Sequence, residues 1–106
     1  MAISQDVIRR VRKRSGDICE ICNIGYVPKW SDPTEYHHCL VRRAKKHPEY
    51  DHEINLQLCH RSCHEHKANT RQNEINHYQR VCEYYGKSVV EDWINSLGLK
   101  SREYWD

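Results

Sequence analysis

Phenylalanine is absent from this chain of 106 residues, and Leu, Ile and Val together supply only 20 of them. A composition this lean in large aliphatic side chains borders on the disordered range. The formal net charge of only +2 and the ten Trp and Tyr residues point instead to a folded domain with a small core. The length allows one domain over 1–106 and leaves little room for a second. No apolar run approaches the roughly 20 residues of a membrane span, and the opening MAISQDVIRRVRKR lacks the apolar centre of a signal peptide. A cytoplasmic protein without a membrane partner is therefore expected. Repeats and low-complexity stretches are lacking too, and three Pro and four Gly give little punctuation. A domain so poor in core needs a staple.

What the chain does have is six Cys and eight His. In a reducing compartment, closely spaced Cys act as metal ligands more often than as disulfides. The charge is also uneven. Residues 1–46 carry ten Lys or Arg against five Asp or Glu, whereas residues 47–106 carry seven against ten. Arg9, Arg10, Arg12, Lys13 and Arg14 form one basic cluster, and Arg42, Arg43, Lys45 and Lys46 another. Together they suggest a polyanion-binding face, with a solvated helix surface as the simpler alternative.

Periodicity predicts a first helix from an N-cap at Ser4 to Arg14, with Ile3, Val7, Ile8 and Val11 on one face and Gly16 just beyond. Residues 17–35 read as loop, Glu35–Val41 as a short strand, and Ile54–Cys59 as a second strand, forming a long-looped hairpin. Ser62–Asn73 reads as one exposed helix. Ile75, Tyr78, Val81, Cys82 and Tyr85 mark the next helix, ended by Gly86, and Ser88 to Glu91 form a capping box for a last one bearing Trp93, Ile94 and Leu97. The order is α+β with a small antiparallel hairpin.

Cys19-x2-Cys22 and the cluster Cys59-His60-x2-Cys63 are spaced as two halves of a tetrahedral zinc site. Cys19, Cys22 and Cys63 are three of the expected ligands. For the fourth, the commoner use of thiolate favours Cys59, while two-residue spacing and strand parity with Leu56 and Leu58 favour His60. Cys39 and Cys82 read as small buried hydrophobes, and His47, His52, His66 and His77 as surface residues.

A second set lies among these ligands: His37-His38 on the first strand, Asn55 opening the second, and His64 directly after Cys63. The run Cys-x2-Cys, then YHHCLVRR, then INLQLCHRSCHEHK resembles the HNH nuclease family, over about residues 9–70. The resemblance implies a ββα-metal core with a structural zinc site and flanking helices, residues 71–106 being a C-terminal helical extension. It implies a metal-dependent DNA endonuclease in which His38 is the general base, His37 and His64 bind a catalytic divalent ion, and Asn55 holds the hairpin loop. The nuclease colicins add a further His where this chain has Ala68. With two imidazoles the ion keeps more water and is closer to Mg2+ or Mn2+ than to a tight zinc site.

The residue chemistry is compatible with that assignment. Phosphodiester hydrolysis needs a base that is neutral near pH 7 and a cation to neutralise developing charge. In an alternating strand His37 and His38 face opposite ways, so the strand must end or bulge at the pair for both to reach one site. His38 also needs an acceptor for its second ring nitrogen, expected to be a backbone carbonyl near Asn55. Arg42, Arg43, Lys45 and Lys46, with Lys67 and Arg71, are candidate phosphate contacts, and Arg9, Arg12 and Lys13 could extend them. No sequence-reading module is marked in the chain, so cleavage that is non-specific, guided by DNA structure or dependent on an additional protein partner is expected, with no small-molecule cofactor. The rival readings are a zinc-stapled nucleic-acid-binding module without catalysis, and a protein-interaction domain using Tyr84, Tyr85, Trp93, Tyr104 and Trp105.

Overall fold

Ser4 starts the first helix as its sequence position predicts: its hydroxyl accepts from the Val7 amide at 3.2 Å. Helix α1 runs Gln5–Ser15 and closes at Gly16, whose φ of 65° is a left-handed conformation that a Cβ disfavours. The computed structural model describes residues 3–28, 35–41 and 48–99 of the chain. Val11 is fully buried, with Ile3 and Val7 packed beside it.

Beyond α1 the predicted loop is tightly bonded. Val27 donates its amide to Asp17 and Cys19 donates to Gly25, at 2.7 and 2.8 Å, and Ile18 bridges Tyr26. The loop therefore turns back on itself and presents Cys19 and Cys22 from a fixed frame.

The hairpin pairs β1 (Glu35–His38) antiparallel to β2 (Leu56–Cys59), with His37 opposite Gln57 and His38 opposite Leu56. Both strands are shorter than the periodicity suggests, and Asn55 is the reason. Its side-chain oxygen accepts from the amides of Leu40 and Val41 at 2.9 and 2.8 Å, so these groups leave the ladder. The strand thus ends at the histidine pair.

A single helix over Ser62–Asn73 is not what forms. Helix α2 covers Arg61–His66, and the amides of Lys67 and Ala68 both turn in to the Cys63 carbonyl. The chain restarts at Thr70, whose hydroxyl caps α3 (Arg71–Tyr85) by accepting from the Asn73 amide at 3.1 Å. The Asn73 side chain donates to the Ala68 carbonyl at 3.0 Å, which seals the break. Helix α4 spans Lys87–Ser96, with Gly86 rather than Ser88 at its N-cap. The expected capping box is absent because Ser88 already lies inside the helix, and Glu91 accepts instead from the Tyr78 hydroxyl.

Two small cores result. Val11, Cys19, Val27, Leu56, Leu58, Cys59 and Cys63 form the first, around the cysteine knuckle. Leu40, Ile54, Tyr78, Val81, Val90 and Ile94 form the second, so the C-terminal helices pack on the hairpin loop itself. Cys39 is buried as expected, while Cys82 is only half-buried. The architecture is α+β, with four helices and one two-stranded antiparallel sheet among the described residues. No described helix is long and apolar enough to cross a membrane.

Candidate functional site

One atom from each of Cys19, Cys22, His60 and Cys63 lies within 4.8 Å of every other. A tetrahedral zinc ion with bonds of about 2.0–2.3 Å needs donor separations of about 3.5–3.8 Å, so the four can close on one ion with small side-chain adjustments. Cys22 Sγ and His60 Nδ1 are already 3.6 Å apart. His60 points its other nitrogen, Nε2, at the Tyr26 carbonyl 2.9 Å away. Donation from Nε2–H leaves Nδ1 as the ligand atom, an outer hydrogen bond of the kind that fixes metal-binding imidazoles.

The thiols respond to crowding around this point. Burial opposes ionisation of Cys22, but amide hydrogen bonds from Ile24 and Gly25 and the neighbouring Cys19 and His60 bring it down to about 6. Cys63 is pushed up to about 11, first by burial and then by the Cys19 and Cys22 sulfurs. A divalent cation among three sulfurs relieves that repulsion and displaces the protons.

Cys59 is not part of the cluster, which corrects the thiolate-based expectation. Along β2, side chains alternate, so Leu58 and His60 leave on one side and Gln57 and Cys59 on the other. Cys59 is fully buried in the first core cluster. His60 then caps α2, and Cys63 follows in its first turn, repeating the two-residue spacing of Cys19 and Cys22. The donor set is compatible with zinc and is a possible metal site made of three thiols and one imidazole.

Through α2 this cluster is connected to the second set of residues. His64 follows Cys63, and its amide bonds the His60 carbonyl at 2.9 Å. Its ring lies 5.1 Å from that of His37, centroid to centroid, at 57°. His37 is 7% exposed and His64 half-buried.

His38 turns elsewhere, as strand alternation requires. Its Nε2 lies 2.7 Å from the Asp51 carboxylate, so the expected backbone carbonyl near Asn55 is not its partner. The pair is largely buried, at 15% and 8% side-chain exposure. Asn55 organises the loop between them: Nδ2 donates to the carbonyls of Val41 at 2.8 Å and Tyr50 at 2.9 Å. With the two amides bound by Oδ1, the buried carboxamide ties both arms of the loop, and Tyr50 directly precedes Asp51. The structure therefore holds His37 with His64 and His38 with Asp51, as two arrangements meeting at the end of β1.

The basic residues divide differently from their clustering in sequence. Arg42, Arg43, Lys45, Lys46 and His47 lie outside the described residues, as do Tyr104 and Trp105. Lys67 and Arg71 are exposed at the turn between α2 and α3. Arg12 cannot extend a phosphate-binding face, because it is buried and bonded to Asp17, Tyr36 and the Val27 carbonyl at 2.9, 3.0 and 2.7 Å. Arg14 is likewise turned inward, onto Glu20. Arg9 and Lys13 remain exposed.

Several structural contributors carry no signal at sequence level. Gly25 is one: a Cβ there would lie 2.3 Å from His60 Cε1, so only glycine lets the ring reach the cluster. Gln57 and Asn73 exchange two amide hydrogen bonds at 3.0 and 2.8 Å, locking α3 to the strand opposite His37. His77, expected at the surface, is 1% exposed, and His52 stacks on Trp93 with ring centroids 5.2 Å apart. His66 is exposed as expected. No family model matches the chain, and no curated protein or solved structure is significantly similar to it.

Proposed function

We propose that this chain is a zinc-braced, metal-dependent endonuclease of the HNH type that hydrolyses DNA phosphodiester bonds. The observation that carries this reading is the 5.1 Å approach of the His37 and His64 rings beside the fixed His38. Two imidazoles on one ion, each bonded at about 2.1 Å, place their ring centres about 4.6–5.3 Å apart. His37 and His64 would hold a divalent ion with room left for water, their nitrogen donors suiting a transition ion such as Mn2+ better than Mg2+, and such an ion would supply charge neutralisation at the phosphate and leaving oxygen.

The chain's own residues do the rest. His38 accepts a proton from the attacking water. Asn55 holds the loop that orients it. The zinc cluster fixes the first turn of α2 and with it His64. Lys67, Arg71 and the basic run Arg42, Arg43, Lys45 and Lys46 grip the phosphate backbone, so binding weakens steeply with salt. Targeting comes from DNA structure or from a protein partner, since no base-reading module accompanies the site.

Supercoiled plasmid incubated with Mg2+, Mn2+ or EDTA tests the reading, with His38→Ala and the double variant His37→Ala, His64→Ala alongside. Metal-dependent nicking by the wild type, abolished in both variants with gel-shift binding kept in His38→Ala, is the expected result. Binding without any nicking by the zinc-loaded wild type would overturn it in favour of a non-catalytic module.

A further inference from the structure

The Asp51 carboxylate is a group that the spacing of the histidines does not call for, yet it is 8% exposed and 2.7 Å from His38 Nε2. We propose that Asp51 is a positioning residue for His38, fixing which ring nitrogen carries the hydrogen and where the other one points. The proposal rests on the nuclease reading above and names a residue that the reading did not contain.

An ionised carboxylate can only accept, so the hydrogen between the pair belongs to Nε2. In the neutral ring Nδ1 then keeps the lone pair and is the nitrogen that accepts a proton. When the water's proton arrives at Nδ1, the imidazolium is stabilised by the adjacent negative charge, while Nε2–H stays on the ring. The oxygen that loses the proton forms the new bond to phosphorus as the bond to the leaving oxygen breaks, its electron pair staying on that oxygen, which takes a proton from solvent.

Asp51 is delivered by rigid backbone. The 3-10 turn Pro48–Tyr50 precedes it, and the Asp51 amide closes on the Pro48 carbonyl at 3.0 Å. Asn55 Nδ2 holds the Tyr50 carbonyl one residue earlier. The carboxamide on one side of the loop thus sets the carboxylate on the other, and the carboxylate sets the ring.

The experiment uses the full zinc-loaded chain and three proteins: wild type, Asp51→Asn and His38→Ala. Long-range 1H–15N NMR of His38 at neutral pH should show the Nε2–H form in the wild type and a mixed or reversed tautomer in Asp51→Asn. Single-turnover plasmid cleavage by Asp51→Asn should fall between about 10- and 10,000-fold, the range spanned by removing the outer hydrogen bond of a metal-binding histidine and by neutralising a triad aspartate elsewhere. DNA affinity and zinc content should stay as in the wild type. An Nδ1–H tautomer in the wild type, or cleavage by Asp51→Asn at the wild-type rate, overturns the assignment of Asp51. Absence of cleavage by the wild type overturns the nuclease reading, and the positioning role with it, whichever tautomer the spectra show.

Discussion

Arg14 donates to both carboxylate oxygens of Glu20, at 2.9 and 2.6 Å, with the two side chains 1% and 0% exposed. The same guanidinium reaches the carbonyls of Glu53 and Leu56 and the Tyr85 hydroxyl, while Glu20 accepts from the Leu58 amide. One bidentate pair therefore joins α1, the cysteine knuckle, β2 and α3. Burial works against the Arg14 charge, but Glu20 outweighs it and its pKa is raised further above the ordinary value.

Breaking this pair from one side leaves a buried charge without its bidentate partner, Glu20 keeping only Arg80 at 3.9 Å as a cation. Arg14→Met and Glu20→Gln should each cost about 3–5 kcal/mol in urea unfolding. The double variant should lose clearly less than the sum of the two, because neither orphaned charge remains. Additive losses would show that the pair is not the coupling element.

The ligand assignment is read by metal content. Cys59→Ser should retain one zinc per chain, whereas Cys19→Ser, Cys63→Ser and His60→Ala should lose it or bind it much more weakly. Mass-spectrometric metal analysis after dialysis decides between Cys59 and His60, and zinc loss in Cys59→Ser with retention in His60→Ala would reverse the assignment. Removing the metal with a chelator should unfold the knuckle and lower the melting temperature.

Gly25→Ala places a methyl group where the His60 ring now sits. Zinc affinity should drop about 10–100-fold as the ring is displaced from Tyr26 and from the thiols. A competition titration with a chromophoric chelator measures this, and an unchanged affinity would mean that His60 is not needed at the site.

Asn55 uses all its side-chain capacity inside the fold, accepting two hydrogen bonds and donating two. Asn55→Asp keeps the acceptor and loses both donations, so it should cost about 2–4 kcal/mol. The Nε2–H signal of His38 should broaden as the Tyr50–Asp51 arm is released, which NMR of the folded variant reports.

His77 carries an acid sensitivity. Its Nε2 donates to the Ile54 carbonyl at 2.8 Å, and its buried Nδ1 has no hydrogen-bond partner among the described residues. Burial, reinforced by Arg14, brings its pKa down to about 4 from the ordinary 6.5, although Glu20 and the bond to Ile54 act in the other direction. Between those values the unfolded chain binds a proton that the folded chain refuses, so stability falls as pH drops from about 6.5 to about 4. The contribution over that window is about 3 kcal/mol. Unfolding curves at several pH values should be steeper in pH for the wild type than for His77→Gln, while acid release of zinc affects both alike. Parallel curves would remove His77 as the cause.

Much of this fold was legible from local rules. Ser4 and Gly16 bound α1 because capping depends on neighbouring backbone alone, and Gly86 separates the last two helices because its φ of 101° suits few other residues. The cysteine spacing pointed to a cluster that could hold a metal for a similar reason: two residues between ligands is a local geometric requirement. Residue type also drew attention to His37, His38, Asn55 and His64, of which the fold brings the His37 and His64 rings together and sets His38 against Asp51.

Tertiary structure decided what depends on segments distant in the chain. Whether Cys59 or His60 joins Cys19 turned on which face of β2 looks toward the knuckle, a matter of packing that spacing leaves open. The partner of His38 is Asp51 rather than a carbonyl because a loop closed by Asn55 carries that carboxylate inward. The basic run of α1 splits into exposed Arg9, Arg10 and Lys13 and inward-turned Arg12 and Arg14 because the carbonyls of Val27, Glu53 and Leu56 and the carboxylates of Asp17 and Glu20 meet the latter two. Sequence thus determined the turns, caps and ligand types, which need only near neighbours. The pairing of charges, histidines and ligands across the fold was set by burial, which forces each polar group taken from water to find a partner wherever the packed chain supplies one.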